Sequence, residues 1–185
     1  MLDPAETLAL TPGASRADRF AELLPQLRPL IDAEPDTIAT LANVSAALHM
    51  AFGFHWVGFY LVKGDHLVLG PFQGPIACTR IPRGKGVCGS AWAQGKTVVV
   101  PDVAQFPGHI ACSAASVSEI VVPLFDADGT VWGVLDIDSV TKDDFSQVDC
   151  DALEQLAAWL ERHRPGPLCQ DRSEIVAEVP VTGLF

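Results

Sequence analysis

One stretch of the chain, 74–139, carries the thiols of Cys78, Cys88 and Cys112, followed by the carboxyls of Glu119, Asp136 and Asp138. Thiols can attack electrophilic sulfur or oxygen once deprotonated, and closely spaced carboxyls can bind a cation or supply a proton. Cys88 stands in G-K-G-V-C-G, where a short helix should begin, and a helix N-terminus with Lys85 nearby favours thiolate there. Cys112 follows Gly108 and His109 in a loop that can present it, and Cys78 lies in a segment rich in proline and glycine. A lone cysteine is usually a small buried hydrophobe, but three loop cysteines this close together are weaker candidates for that role. With His109 they could also form a zinc site. The spacing speaks against it, because no C-x-x-C pair exists and the H-x-x-C of 109–112 stands alone. No metal and no cofactor is therefore expected.

The carboxyls can be placed by strand arithmetic. Residues 119–125 and 130–139 have strand character and flank Asp126-Ala127-Asp128-Gly129. If Asp128-Gly129 is the two-residue turn that such a dipeptide favours, 127 faces 130, Glu119 faces Asp138 and Val121 faces Asp136. Glu119, Asp136 and Asp138 then share one face. A four-residue turn would instead pair Glu119 with Asp136 and still cluster the three. That face would also carry Val134, Trp132 and Pro123, so it is not a plainly solvated acidic surface. Such a site suits an ammonium group, and crowding would raise at least one carboxyl pKa enough for a general acid.

The elements that must hold these groups follow from pattern. Residues 1–14 form a loose lead-in, 15–163 one domain, and 164–185 a C-terminal extension with one strand at 175–181. A first helix is expected over 15–24, capped by Ser15 and broken or bent by Pro25 and Pro29. A second runs over 35–52 with Pro35 at its first position and Ile38, Leu41, Ala42, Ser45 and Leu48 near helical spacing. Residues 55–62 and 66–70 make a hairpin, and 70–82 should be mostly loop. Residues 86–94 form a short helix ended by Gly95, 97–100 a strand, and 102–118 a long connection of the functional kind. A last helix spans 143–163 with Phe145, Val148, Ala152, Leu156, Trp159 and Leu160 inward; Cys150 falls off that stripe. The result is an α+β fold, an antiparallel β-sheet with helices from both chain ends packed on it.

At 185 residues and 49% hydrophobic content the chain can bury one full core. A formal charge of -11 argues against nucleic acid and anionic membranes as partners. No secretory signal and no spanning run is present, so a cytoplasmic location is expected, where cysteines stay reduced or act catalytically.

Motif order then adds a resemblance. P-F-Q-G, I-A-C-x-R-I-P-x-G-x-G-V-C-G, V-x-D-V, G-H-I-A-C, A-A-S-x-S-E-I-V-x-P and G-V-L-D-I-D-S, over about 35–162, closely resemble the free methionine-(R)-sulfoxide reductases, which are single GAF domains. The resemblance implies that Cys112 attacks the sulfoxide sulfur and becomes a sulfenic acid. Cys78 would be the main resolving thiol and Cys88 a second, giving a disulfide that thioredoxin reduces. Glu119, Asp136 and Asp138 would bind the substrate ammonium, and one would protonate the departing oxygen. Trp56 and Tyr60, on one face of a strand, would wall the methyl-sulfur end; plain core packing is the other reading of each. Backbone N–H groups of 88–90 could take the carboxylate. The family pattern also implies a homodimer. Two departures bear on the loop: the family has Asp after the catalytic cysteine and Asn before S-E-I, where this chain has Ser113 and Val117. Cys169 is a further possible resolving thiol. The competing reading is a non-catalytic GAF sensor of a small ligand.

Overall fold

The computed structural model describes residues 8–108 and 115–164. Cys112, His109 and Ser113, the Cys169 thiol and the strand expected at 175–181 lie outside the described residues. Six strands form one antiparallel sheet: β1 (Trp56–Lys63), β2 (His66–Gln73), β3 (Arg80–Pro82), β4 (Val98–Val100), β5 (Ser118–Phe125) and β6 (Val131–Ser139), in the spatial order β3-β2-β1-β6-β5-β4. Helices α1 (Arg16–Ala33), α2 (Thr37–Phe52) and α4 (Gln147–Trp159) cover one face, while α3 (Gly86–Gln94) covers the other. The α+β sheet with helices from both chain ends is thus as expected, with a third layer added by α3. None of the described helices is long and apolar enough to cross a membrane.

Burial on both faces explains the apolar runs of the central strands. In β1, Val57, Phe59 and Leu61 enter the larger core beneath α1, α2 and α4, and Trp56 and Tyr60 enter the smaller one beneath α3. In β5, Ile120, Val122 and Leu124 take the first face and Val121 the second. Each fully buried aliphatic side chain contributes about 1.5–3 kcal/mol, so this alternation holds the strand register firmly.

Several expectations are corrected. Helix α1 does not stop near residue 24; it continues through Pro25 and Pro29 to Ala33. Leu27 and Ile31 are fully buried on the continuing stripe, and that burial outweighs the lost donors. Helix α2 starts after Pro35, with the Asp36 carboxylate accepting from Ala39 N at 2.9 Å. Ile38 is exposed, and Thr40, Leu41, Val44, Ser45 and Leu48 face inward instead. Helix α4 begins later than residue 143 because Phe145 is buried and Ser146 and Asp149 form a capping box. Val148 is correspondingly turned outward. The same Asp149 accepts from Arg16 Nε at 2.7 Å, which ties the first helix to the last.

Two bulges shape the site. Strand β2 runs on through Pro71 to Gln73, where loop was expected; the register shifts between the Tyr60–Leu69 and Gly58–Phe72 pairs, and Gly70-Pro71 fill the bulge. The β5–β6 turn is not the two-residue one. Asp126 N donates to Thr130 O, Gly129 N to Asp126 O, and Gly129 takes φ 74°. A second irregularity, between Leu124 and Phe125, then restores the register, so Glu119 does face Asp138 and Val121 does face Asp136. The bulge also turns Trp132 into the larger core, its Nε1 donating to Phe125 O at 3.0 Å. Trp132 therefore does not share the acidic face, whereas Val134 does.

Gly58, paired with Asp136, leaves room for the indole of Trp56 to fold over the strand. A Cβ there would lie 2.3 Å from Phe72 Cβ and 2.9 Å from Phe72 Cα. Since backbone atoms cannot yield as a side-chain tip can, Gly58→Ala is expected to destabilise the fold by about 3 kcal/mol in urea unfolding. A change below about 0.5 kcal/mol would show that the β1–β2 ladder gives way freely.

Candidate active site

The three central strands bring the carboxyls together. Asp138 pairs across the ladder with Glu119 on one side and Trp56 on the other, and Asp136 sits between Val121 and Gly58. Helix α3 closes over them. It places Cys88 Sγ 3.8 Å from Glu119 Oε1, and single ligand atoms of Cys88, Glu119 and Asp136 all lie within 4.8 Å of one another. Glu119 and Asp136 are buried and Asp138 is half-buried at the edge of the group. No lysine or arginine among the described residues pairs with any of the three.

This arrangement holds protons. Burial, then the charges of Asp136 and Asp138, push the Glu119 carboxyl well above the ordinary carboxylate range. Burial, then Asp138, does the same for Asp136. Each of the two carboxyls thus favours its protonated form, and Asp136 Oδ1 makes no hydrogen bond among the described residues. Burial raises Asp138 from 3.8 to about 6. The buried Ser116 hydroxyl makes no full hydrogen bond but lies near enough to pull against that rise. Three acids without a cation form a site that a guest ammonium would neutralise.

Cys88 departs from expectation. Its thiol is pushed up, not down: burial is the largest cause, followed by Asp136 and Glu119. The α3 N-terminus contributes at most about 2 kcal/mol in favour of an anion, less than the penalty for a buried charge among carboxyls. The expected anion seat at 88–90 is also smaller than thought, because Gly89 N already donates to Lys85 O at 3.1 Å.

The aromatic wall is in place. Trp56 and Tyr60 stack with ring centroids 5.8 Å apart, and Phe72 also stacks with Trp56 at 5.4 Å. Phe72 was missed because its segment read as loop. Both polar tips hold the following loop: Trp56 Nε1 donates to Pro75 O at 3.1 Å and Tyr60 Oη to Cys78 O at 3.0 Å. The half-buried Cys78 is thereby fixed beside the wall with a free thiol. Ser116 was also missed; its place just ahead of S-E-I could have suggested it, since Val117 N bonds to Ser139 O at 2.8 Å and brings the preceding residue to the acidic edge.

Comparison with known proteins agrees with this fold. Residues 36–163 match the GAF domain family. The chain is 53% identical over 85% of its length to GAF domain-containing protein A of Dictyostelium discoideum, covering 99% of that protein. It is 48% identical over 80% of its length to the free methionine-R-sulfoxide reductase of Escherichia coli (strain K12), covering 90% of it. The crystal structure of a free methionine-R-sulfoxide reductase from Neisseria meningitidis in complex with its substrate superposes with a TM-score of 0.81 at 55% identity, covering 85% of this chain and 96% of the other.

The raised acids make a pH signature. A carboxyl whose pKa is higher folded than unfolded binds its proton more tightly in the folded state. Its cost is absent below the unfolded value of 3.8 and grows until pH has risen past about 6. For Asp138 this is worth up to about 3 kcal/mol at neutral pH. The melting temperature of Asp138→Asn relative to the parent should therefore climb as pH is raised from 4.5 to 7.5 (roughly the titration window). A pH-independent difference would mean that Asp138 titrates normally.

Proposed function

We propose that this chain, a GAF-domain protein of the free methionine-(R)-sulfoxide reductase family, reduces free L-methionine-(R)-S-oxide to L-methionine. The observation that carries the reading is the carboxyl trio, buried at Glu119 and Asp136 and unpaired with any cation among the described residues, set against an aromatic wall on the central strands. Free methionine sulfoxide offers the three matching features: an ammonium for Glu119, Asp136 and Asp138, a polarised sulfur, and a methyl group for the Trp56–Tyr60 wall. A peptide-bound residue lacks the ammonium, so the same trio would exclude it.

The step balances as follows. The Cys112 thiolate attacks the sulfoxide sulfur and forms an S–S bond; the oxygen, protonated, then leaves the substrate sulfur for the Cys112 sulfur, the S–S bond breaks, and methionine departs reduced by two electrons with Cys112 as the sulfenic acid. A carboxyl of the trio supplies the proton that the oxygen needs; Glu119, which burial keeps protonated, suits that part. Cys78 then attacks the sulfenic sulfur, water leaves, and a disulfide remains. A dithiol reductant of the thioredoxin kind returns both thiols by exchange. A cytoplasmic setting, where such reductants act, and a homodimer fit the family pattern.

Cys78 is the better resolving thiol of the two considered. It lies half-buried in a loop, whereas Cys88 is buried and held neutral by its carboxyl neighbours. A neutral thiol does not attack.

The test is stereospecific turnover with thioredoxin or dithiothreitol. The R form of the free sulfoxide should be consumed, and the S form and a peptide-bound substrate should not. Cys112→Ser should abolish turnover, and Glu119→Gln should lower kcat/KM on the order of 100-fold, from loss of the carboxyl that donates the proton. Full activity in Cys112→Ser, or none in the parent, would overturn the reading and leave a ligand sensor. In the resolving step, Cys78→Ser should stop after one methionine per chain with thioredoxin as reductant, whereas Cys88→Ser should continue to turn over. The opposite pattern would assign the disulfide to Cys88.

A further inference from the structure

We infer that the reduced, substrate-free protein binds one thiophilic divalent cation, of the zinc class, through Cys88 Sγ, Glu119 and Asp136. The three ligand atoms lie within 4.8 Å of one another. Tetrahedral zinc with bonds of about 2.3 Å to sulfur and about 2.0 Å to oxygen needs ligand edges of roughly 3.3–3.8 Å. The 3.8 Å between Cys88 Sγ and Glu119 Oε1 meets that directly. A second observation concerns the same group: Asp136 is only 5% exposed, yet its Oδ1 has no hydrogen-bond partner among the described residues. Buried polar atoms are almost always paired, so a buried carboxyl with an unpartnered oxygen, in a group with a thiol and a second carboxyl, is suited to hold a cation.

The donor set selects the ion class. One sulfur and two carboxylates suit zinc, cadmium or cobalt. Calcium and magnesium are hard cations that take oxygen ligands, so a thiolate in the set selects against them. Each ligand rides on a separate rigid element, α3, β5 and β6, so the cage is assembled before the ion arrives. Three protein ligands leave a fourth position for water, the pattern of exchangeable zinc sites. On binding, the thiol and carboxyl protons are released to solvent, and two carboxylates with one thiolate face the dication.

No Cys–His spacing reveals this site, because only one of its ligands is a cysteine and the carboxyls arrive from the sheet. Metal binding needs no part of the reductase reading. A consequence does rest on that reading: the ion would take the place of the substrate ammonium, so metal and free methionine sulfoxide would exclude one another.

The experiment titrates the reduced chain with Co²⁺ and measures Zn²⁺ affinity against a chromophoric chelator. One equivalent should bind, with the near-ultraviolet thiolate-to-cobalt band. Cys88→Ala should lose the band, while Cys78→Ala and Cys150→Ala keep it. Asp136→Asn should weaken binding on the order of 10–100-fold. If Cys88→Ala does not fold by circular dichroism, Glu119→Gln, close in shape, carries the same expected weakening. A band that survives in Cys88→Ala, or vanishes only in Cys112→Ala, would overturn the assignment, as would binding no tighter in the parent than in the variants. Excess free methionine sulfoxide should displace the metal. Intact metal binding without that displacement upholds the metal site and counts against the ammonium seat.

Discussion

Carboxyls on adjacent central strands, two of them buried and none paired with a cation among the described residues, dictate much of what surrounds them. Two unit charges about 4 Å apart repel by about 4 kcal/mol at the effective dielectric near a protein surface, and desolvation adds several more per ion. A sheet cannot carry that cost at its middle without relief. Relief comes from protons, as the raised pKa values of Glu119, Asp136 and Asp138 record. The remaining cost is borne by the two-faced burial of β1, β5 and β6, whose alternate residues fill a core on either side.

That distribution of load explains the placement of the site. A strand at the sheet edge buries less and could shift by a residue, which would send Glu119 to the other face. Strands β1, β6 and β5 are instead flanked by β2 and β4. Ile120 opposite Ile137 and Val122 opposite Leu135 hold the register from beneath, while the acids occupy the intervening positions above. Catalytic precision and core packing are here the same constraint seen from two faces.

The acidic trio was legible because strand alternation is a strict period of two and the hairpin lies only a few residues away. The reasoning from Asp128-Gly129 nonetheless reached the right pairing through the wrong turn: a longer turn and a bulge offset one another. Trp132 exposes the difference, since it lies beyond the bulge and faces the helices. Bulges leave little trace in sequence, as Gly70-Pro71 also shows, and Phe72 was hidden with it. Where local propensity and burial disagreed, burial prevailed: α1 passes two prolines to bury Leu27 and Ile31. Asp149 could not be foreseen as the partner of Arg16, because that contact joins the two ends of the domain and has no local signature.

The cysteines divide by the same electrostatics. A helix N-terminus stabilises an anion by about 0.3–1 kcal/mol at an exposed position and by about 2 kcal/mol when partly buried. Cys88 has that help but is fully enclosed beside two carboxyls, and enclosure prevails. A thiol in this position serves the site as a neutral hydrogen-bond donor to Glu119, or as a ligand once a cation has replaced the protons. Nucleophilic sulfur must come from outside the acidic core, on segments where water can reach and the field of the trio is weaker. The loop of Cys78 meets that condition: it is anchored at its backbone by Tyr60 and Trp56, so its thiol is held near the wall without being drawn into the carboxyls. An environment that holds protons on carboxyls and on Cys88 would silence a nucleophilic thiol, so in the proposed reaction the attacking and resolving sulfurs are assigned to loops and the cation seat to the sheet.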